Sequence, residues 1–127
     1  MDYNQFIQNK KHSIGNFGFE ANYIPEIAFD FQKYIIEKAV RKGRIAIFAD
    51  TGLGKTLIQL SIAKNIIEHT NKKVLILTPL AVAFQFILEA EKLGIDDIEY
   101  SKDGNHTKKI VICNYERLHY FNENDFV

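Results

Sequence analysis

The segment that most narrows what this chain can fold into is Ala49-Asp50-Thr51-Gly52-Leu53-Gly54-Lys55-Thr56. It follows a short apolar run, Arg44-Ile45-Ala46-Ile47-Phe48, and precedes a stretch with Leu57, Leu60, Ile62, Ala63, Ile66 and Ile67 apolar. A buried strand, a two-glycine turn and a helix in immediate succession is the context in which such a turn cradles phosphate. Gly52 and Gly54 lack a Cβ, so the backbone can take unusual dihedrals and come close to an anion. Successive N–H groups then point inward as an anion-binding nest. The helix that follows adds its free N–H groups and the positive end of its dipole. Lys55 sets a compact positive charge against β- and γ-phosphates, and the Thr56 hydroxyl is a ligand for Mg²⁺. The strict pattern asks for glycine where this chain has Ala49; alanine keeps the small size, and Gly54-Lys55-Thr56 is intact. The bland alternative, a chance Gly-Leu-Gly turn before a surface helix, leaves the register of strand, turn, lysine, threonine and helix unexplained. The expected ligand is ATP with Mg²⁺, held by Asp50, Thr51, Gly52, Leu53, Gly54, Lys55, Thr56 and Leu57, with Lys55 and Thr56 as catalytic groups.

The rest of the chain supplies the frame. Asp30 is a candidate N-cap for a helix to about Lys42, with Phe31, Tyr34, Ile35, Lys38 and Ala39 on one side and Gly43 as the stop. A helix runs from Thr56 to about His69, and Thr70-Asn71 breaks it. Lys73–Leu77 reads as a buried strand ended by Thr78-Pro79, and Ala81–Leu93 as a helix closed by Gly94. Ile98–Tyr100 and Lys109–Cys113 read as strands, and Asn114 caps a short helix through Tyr115–His119. Phe6–Lys11 reads as one further short helix. Apolar strands alternating with helices of about a dozen residues predict an α/β three-layer sandwich, a parallel sheet with right-handed crossovers and helices on both faces.

Length and composition agree with one soluble domain: 127 residues, 46 % apolar, 25 % charged. Sixteen basic residues balance sixteen acidic ones, so net charge argues neither for nor against nucleic acid. The single cysteine, Cys113, excludes an internal disulfide and any multi-cysteine metal site. His12, His69, His106 and His119 lack metal-ligand spacing and read as surface or loop residues. Lys38, Arg41, Lys42 and Arg44 read as a solvated helix end. No stretch is long and apolar enough to span a bilayer, and Met1–Gln5 is polar, which predicts a cytoplasmic setting without a membrane partner.

Ala49-x-x-Gly52-x-Gly54-Lys55-Thr56 resembles motif I of superfamily-two helicases and translocases, whose first motor lobe is a RecA-like phosphate-loop domain. Phe29-Asp30-Phe31-Gln32 looks like the adenine-recognition element of that family. By this resemblance Gln32 reads the adenine edge, since an amide can match adjacent N6–H and N7, and Phe31 or Tyr23 packs on the base. Leu75-Ile76-Leu77-Thr78-Pro79-Leu80 resembles motif Ia, which implies nucleic-acid contacts from Thr78, Pro79 and the Gln85 of the following helix. Asn114-Tyr115-Glu116-Arg117-Leu118 resembles the Tyr-Glu-x-Leu form of Swi/Snf-type translocases, with Arg117 a candidate strand contact and DNA rather than RNA the expected partner. The likeness covers about Phe29 to Leu118, after a lead-in of residues 1–28.

Such an enzyme also needs an Asp-Glu pair at the end of another strand, the Asp for Mg²⁺ and the Glu for the attacking water. None follows motif I here: Asp96-Asp97 precedes a weak strand, and Glu123 and Asp125 lie in a polar turn. Phe126-Val127 looks like the opening of the strand that should carry it. The expectation is a partial first motor lobe, residues 29–127, that binds nucleotide with weak or no hydrolysis and self-associates through an exposed sheet edge. A phosphate-loop kinase or other NTPase, and a non-hydrolysing nucleotide-binding module, remain open beside it.

Overall fold

A computed structural model describes residues 17–46 and 54–127. In chain order the elements are α1 (Asp30–Lys42), α2 (Lys55–Thr70), β1 (Val74–Thr78), α3 (Leu80–Lys92), β2 (Ile98–Tyr100) and β3 (Ile110–Asn114), followed by 3-10 turns at Tyr115–Tyr120 and Glu123–Asp125. The expected helix at Phe6–Lys11 lies outside the described residues. So do Ile47 and Phe48 of the expected first strand, whose described part, Arg44–Ala46, is not in a strand.

Local chemistry sets the helix ends. α1 carries Asp30 in its first turn and Arg41 and Lys42 in its last, each complementing the helix dipole. It closes at Gly43, whose φ of 74° is left-handed, with the glycine N–H on the Ala39 carbonyl at 2.9 Å. The lead-in is tied across this end: the N–H groups of Phe17, Gly18 and Phe19 donate to the carbonyls of Lys42, Arg41 and Val40 at 3.0–3.1 Å. α3 ends in a Schellman arrangement, Ile95 N–H to the Ala90 carbonyl at 2.8 Å and Gly94 N–H to Glu91 at 3.1 Å.

The buried line of α1 is Gln32, Ile36, Ala39 and Val40, which corrects the expected face. Phe31 and Tyr34 stand exposed. The face is set by what covers it: Ile36 and Val40 pack against Ile58 of α2, and that contact turns the aromatics outward. α2 is buried along most of its girth, at Leu57, Ile58, Leu60, Ser61, Ala63, Asn65 and Ile67, because α1, α3 and the sheet all pack on it.

The sheet is parallel, in the order β1-β3-β2. Val74 pairs with Ile110 and Thr78 with Asn114 on one side of β3, and Ile98 pairs with Ile110 on the other. β3 is buried from end to end, as a central parallel strand should be. Ile110 and Ile112 join Leu60, Ala63, Ile76, Phe86 and Ala90 in the main core. The intervening Val111 and Cys113 are equally buried and, by strand alternation, lie on the opposite side. The turn at Tyr115–Tyr120 packs on β1 and β3. On the far edge of β1, Phe126 forms a parallel bridge with Lys73, and Val127 N–H donates to the Lys73 carbonyl at 2.8 Å.

Candidate functional site

The described end of the glycine turn is Gly54, the N-cap of α2, with a left-handed φ of 72°. Asp50, Thr51, Gly52 and Leu53 lie outside the described residues. The first backbone bond of α2 runs from Ile58 N–H to the Gly54 carbonyl at 3.2 Å, so the N–H groups of Lys55, Thr56 and Leu57 have no partner within the helix. Among the described residues no side chain caps this end, and no acid sits in its first turn. A helix start whose first N–H groups lack helical partners, beside a lysine, suits an anion. Lys55 is exposed, Thr56 half-buried and Leu57 buried in the packing of α2.

Gln32 meets this loop. It is 5 % exposed, and its Oε1 accepts the Phe29 N–H at 2.8 Å, the reaching-back half of a capping box. Its Nε2 lies against Gly54, so close that a Cβ built on that glycine would stand 2.1 Å from it. Two segments twenty-two residues apart in the chain, Gln32 and Gly54, therefore share one small volume. Phe29 and Phe31 stack beside it, ring centroids 6.1 Å apart and planes 13° from parallel. They are 68 % and 42 % exposed. Tyr23 is elsewhere: its ring lies 5.5 Å from the Lys64 ammonium, and Lys64 is ten residues along the helix from Gly54, about 15 Å at 1.5 Å per residue. Burial raises the Tyr23 phenol above its ordinary range, with Lys64 opposing that shift.

A hollow of about 540 Å³ runs between the start of α2 and α3, lined among others by Gly54, Lys55, Thr56, Gln59, Gln85 and Glu89. Gln85 thus faces the phosphate loop's helix rather than the end of β1. Thr78 is 3 % exposed and its hydroxyl donates to the Pro79 carbonyl at 2.8 Å, so its side chain is turned inward. What the end of β1 shows to solvent is Pro79 and the first turn of α3. Arg117 is exposed, its guanidinium 6.0 Å from the Tyr120 ring. The structure therefore brings Gln32, Gly54, Lys55, Thr56 and Gln85 to one end of α2.

A magnesium–triphosphate fits these residues in part. The helix start and Lys55 would suit the phosphates, and the Thr56 hydroxyl could offer one oxygen to the metal. No cluster of three acids, histidines or cysteines occurs among the described residues, so phosphate oxygens and water would complete the shell, as magnesium prefers. Asp97 is committed elsewhere, its Oδ1 accepting Lys109 N–H at 2.9 Å.

Two residues gave no hint of their roles in isolation. His106, expected as a surface or loop residue, lies in a loop, held between the Lys73 ammonium at 2.6 Å and the Asp125 carboxylate at 3.2 Å, with its side chain 11 % exposed. Asn65 is buried with four hydrogen bonds; the signal was a Ser61–Asn65 pair four apart inside an apolar helix.

Parallel strands in this order, β1 and β2 joined through α3, with a glycine-lysine-threonine helix start at the site, define an α/β RecA-like nucleotide-binding lobe. The chain belongs to the DEAD/DEAH box helicase family, whose pattern matches residues 29–125. That family comprises ATP-dependent helicases acting on nucleic acid. No curated protein and no solved structure matches the chain. Among the described residues, no helix is long and apolar enough to cross a membrane.

Proposed function

We propose that this chain is the ATP-binding segment of an ATP-dependent DNA helicase or translocase, holding Mg-ATP through a Walker A loop at Ala49–Thr56. The observation that carries the reading is the seating of the Gln32 amide on Gly54 at an uncapped helix start. A candidate base-reading group and the start of the phosphate-binding helix then lie side by side. Lys55 neutralises the β- and γ-phosphates, Thr56 holds the metal, Gln32 reads adenine and the Phe29–Phe31 pair stacks on it. Asp50, Thr51, Gly52, Leu53 and Leu57 complete the loop. Residues 1–28 form the lead-in and 29–127 belong to the first motor lobe. The Tyr115-Glu116-x-Leu118 form supports a Swi/Snf-type translocase, with Pro79, the backbone of the Thr78 turn and Arg117 on the DNA side and Gln85 turned toward the nucleotide hollow.

The test is calorimetry of Mg-ATP binding to the chain and to Lys55→Ala. Charge-assisted phosphate bonds are worth about 1.5–3 kcal/mol, so affinity should fall roughly ten- to a hundredfold. Unchanged affinity overturns the assignment. DNA and RNA oligonucleotides titrated against the ATP-loaded chain decide the second half; stronger binding of RNA removes the DNA reading. Self-association through the β1 edge of the sheet, which Phe126 and Val127 engage at Lys73 and where Leu77 is exposed, is read by light scattering: Leu77→Lys should leave a monomer.

A further inference from the structure

Asn65 lies in the third turn of α2 and is 1 % exposed. Its Oδ1 accepts the N–H groups of Asn22 and Tyr23, both at 2.8 Å. Its Nδ2 donates to the carbonyls of Tyr23 at 2.7 Å and Ser61 at 2.8 Å. A carboxamide has two donors and two acceptor lone pairs, and all four are used. Three of them go to one dipeptide of the lead-in, more than forty residues upstream. The side chain acts toward Tyr23 as a neighbouring strand would, taking its N–H and giving to its C=O.

Helix stability does not call for asparagine here. It is a weak helix former, and a buried amide is costly unless satisfied. What Asn65 does is fix the place of a segment that leads to the site. From Tyr23 the chain runs through the buried Pro25 and Ala28, with Ala28 N–H on the Pro25 carbonyl at 3.1 Å. It then enters Phe29, whose N–H is held by Gln32, and the Gln32 amide rests on Gly54. The path begins and ends on α2: Asn65 holds one end, and the cap of the same helix holds the other. The earlier part of the described lead-in is tied to α1 through Phe17–Phe19.

Resting on the nucleotide reading above, we propose that Asn65 is a positioning residue for base recognition. It sets how the Phe29–Gln32 end of the site stands relative to the Gly54–Thr56 end. Its loss detunes recognition of the base while leaving recognition of the phosphates, since Lys55 and Thr56 are more than two helical turns away.

The experiment compares Mg²⁺ complexes of ATP, GTP and inorganic tripolyphosphate by calorimetry on the 127-residue chain, for wild type, Asn65→Ala and Asn65→Asp. Circular dichroism checks that each is folded. The aspartate variant keeps the acceptor for Asn22 and Tyr23 and loses both donations, and it remains informative if the alanine variant fails to fold. Expected for Asn65→Ala is a loss of about tenfold for ATP, the scale of one or two neutral hydrogen bonds. Tripolyphosphate should stay within about twofold, so that the preference for ATP over GTP collapses; Asn65→Asp should fall between. ATP and tripolyphosphate weakening in parallel, or an unchanged ATP affinity in a folded variant, overturns the proposal. A wild-type chain that binds none of the three overturns the nucleotide reading itself, and this inference with it; one that binds tripolyphosphate as tightly as ATP spares the phosphate loop and removes base recognition.

Discussion

Gly54→Ala tests the meeting of Gln32 with the phosphate loop. The new methyl group enters at a left-handed φ of 72°, which costs an L-residue about 1–2 kcal/mol. It also arrives 2.1 Å from Gln32 Nε2, so the amide must swing away. That breaks the bond from Phe29 N–H to Oε1, worth about 1 kcal/mol. The sum is about 2–3 kcal/mol. With a urea slope of about 1–3 kcal/mol/M for a small domain, the unfolding midpoint drops by roughly 1–2 M. The decisive arm is the same substitution in a Gln32→Ala background. There no amide stands in the way, and only the backbone cost of about 1–2 kcal/mol remains. The cycle should report a coupling near 1 kcal/mol. Equal losses in both backgrounds, a coupling under about 0.3 kcal/mol, would refute the claim that these residues touch.

Three further outcomes follow from the packing. Leu60→Ala, at a fully buried position of the main core, should cost about 2–5 kcal/mol in chemical denaturation; a loss below 1 kcal/mol would mean that the α2 core is misassigned. Burial holds the Cys113 thiol above its ordinary pKa, so above about pH 8.5 the unfolded chain binds fewer protons than the folded one. Stability should decline as pH rises past that point, with Tyr23 adding to the slope near pH 10 for the same reason; a midpoint that climbs from pH 8 to 10, or a slope unchanged in Cys113→Ala, contradicts this. His106→Ala releases Lys73 and Asp125 and should speed hydrogen exchange at the Val127 amide, whose partner is the Lys73 carbonyl; unaltered exchange would show that the histidine does not hold that edge.

The sequence carried the skeleton of the fold because its signals are local. Gly43 and Gly94 stop helices where a left-handed residue is needed, and Asn71 does the same at φ 54°. The strand at Ile98–Tyr100 lies where it was read, and the other described elements begin or end within a residue or two of expectation, the scatter normal for helix ends. The failures share one cause, dependence on a distant neighbour. Periodicity placed Phe31 and Tyr34 on the inner face of α1, yet the face was decided by Ile58 of another helix. His106 lies in a loop as expected, but its ties were hidden because its partners, Lys73 and Asp125, lie 33 and 19 positions away. Asn65 was passed over for the same reason. In the site itself the glycine-lysine-threonine helix start was plain from residue types, whereas the inward turn of the Thr78 hydroxyl and the approach of Gln85 to the phosphate-loop helix depend on how α3 leaves β1.

The middle strand of the sheet is the last of the three to be made. Among the described strands β1 and β2 touch each other only through β3, so a nascent chain that has emerged as far as Lys109 still lacks the strand that joins them. The five residues Ile110–Asn114 close both ladders at a stroke. On a ribosome, this molecule should gain its protease resistance in one late step rather than helix by helix. Until then, something else in the cell must keep Val74–Leu77 from finding the wrong companion.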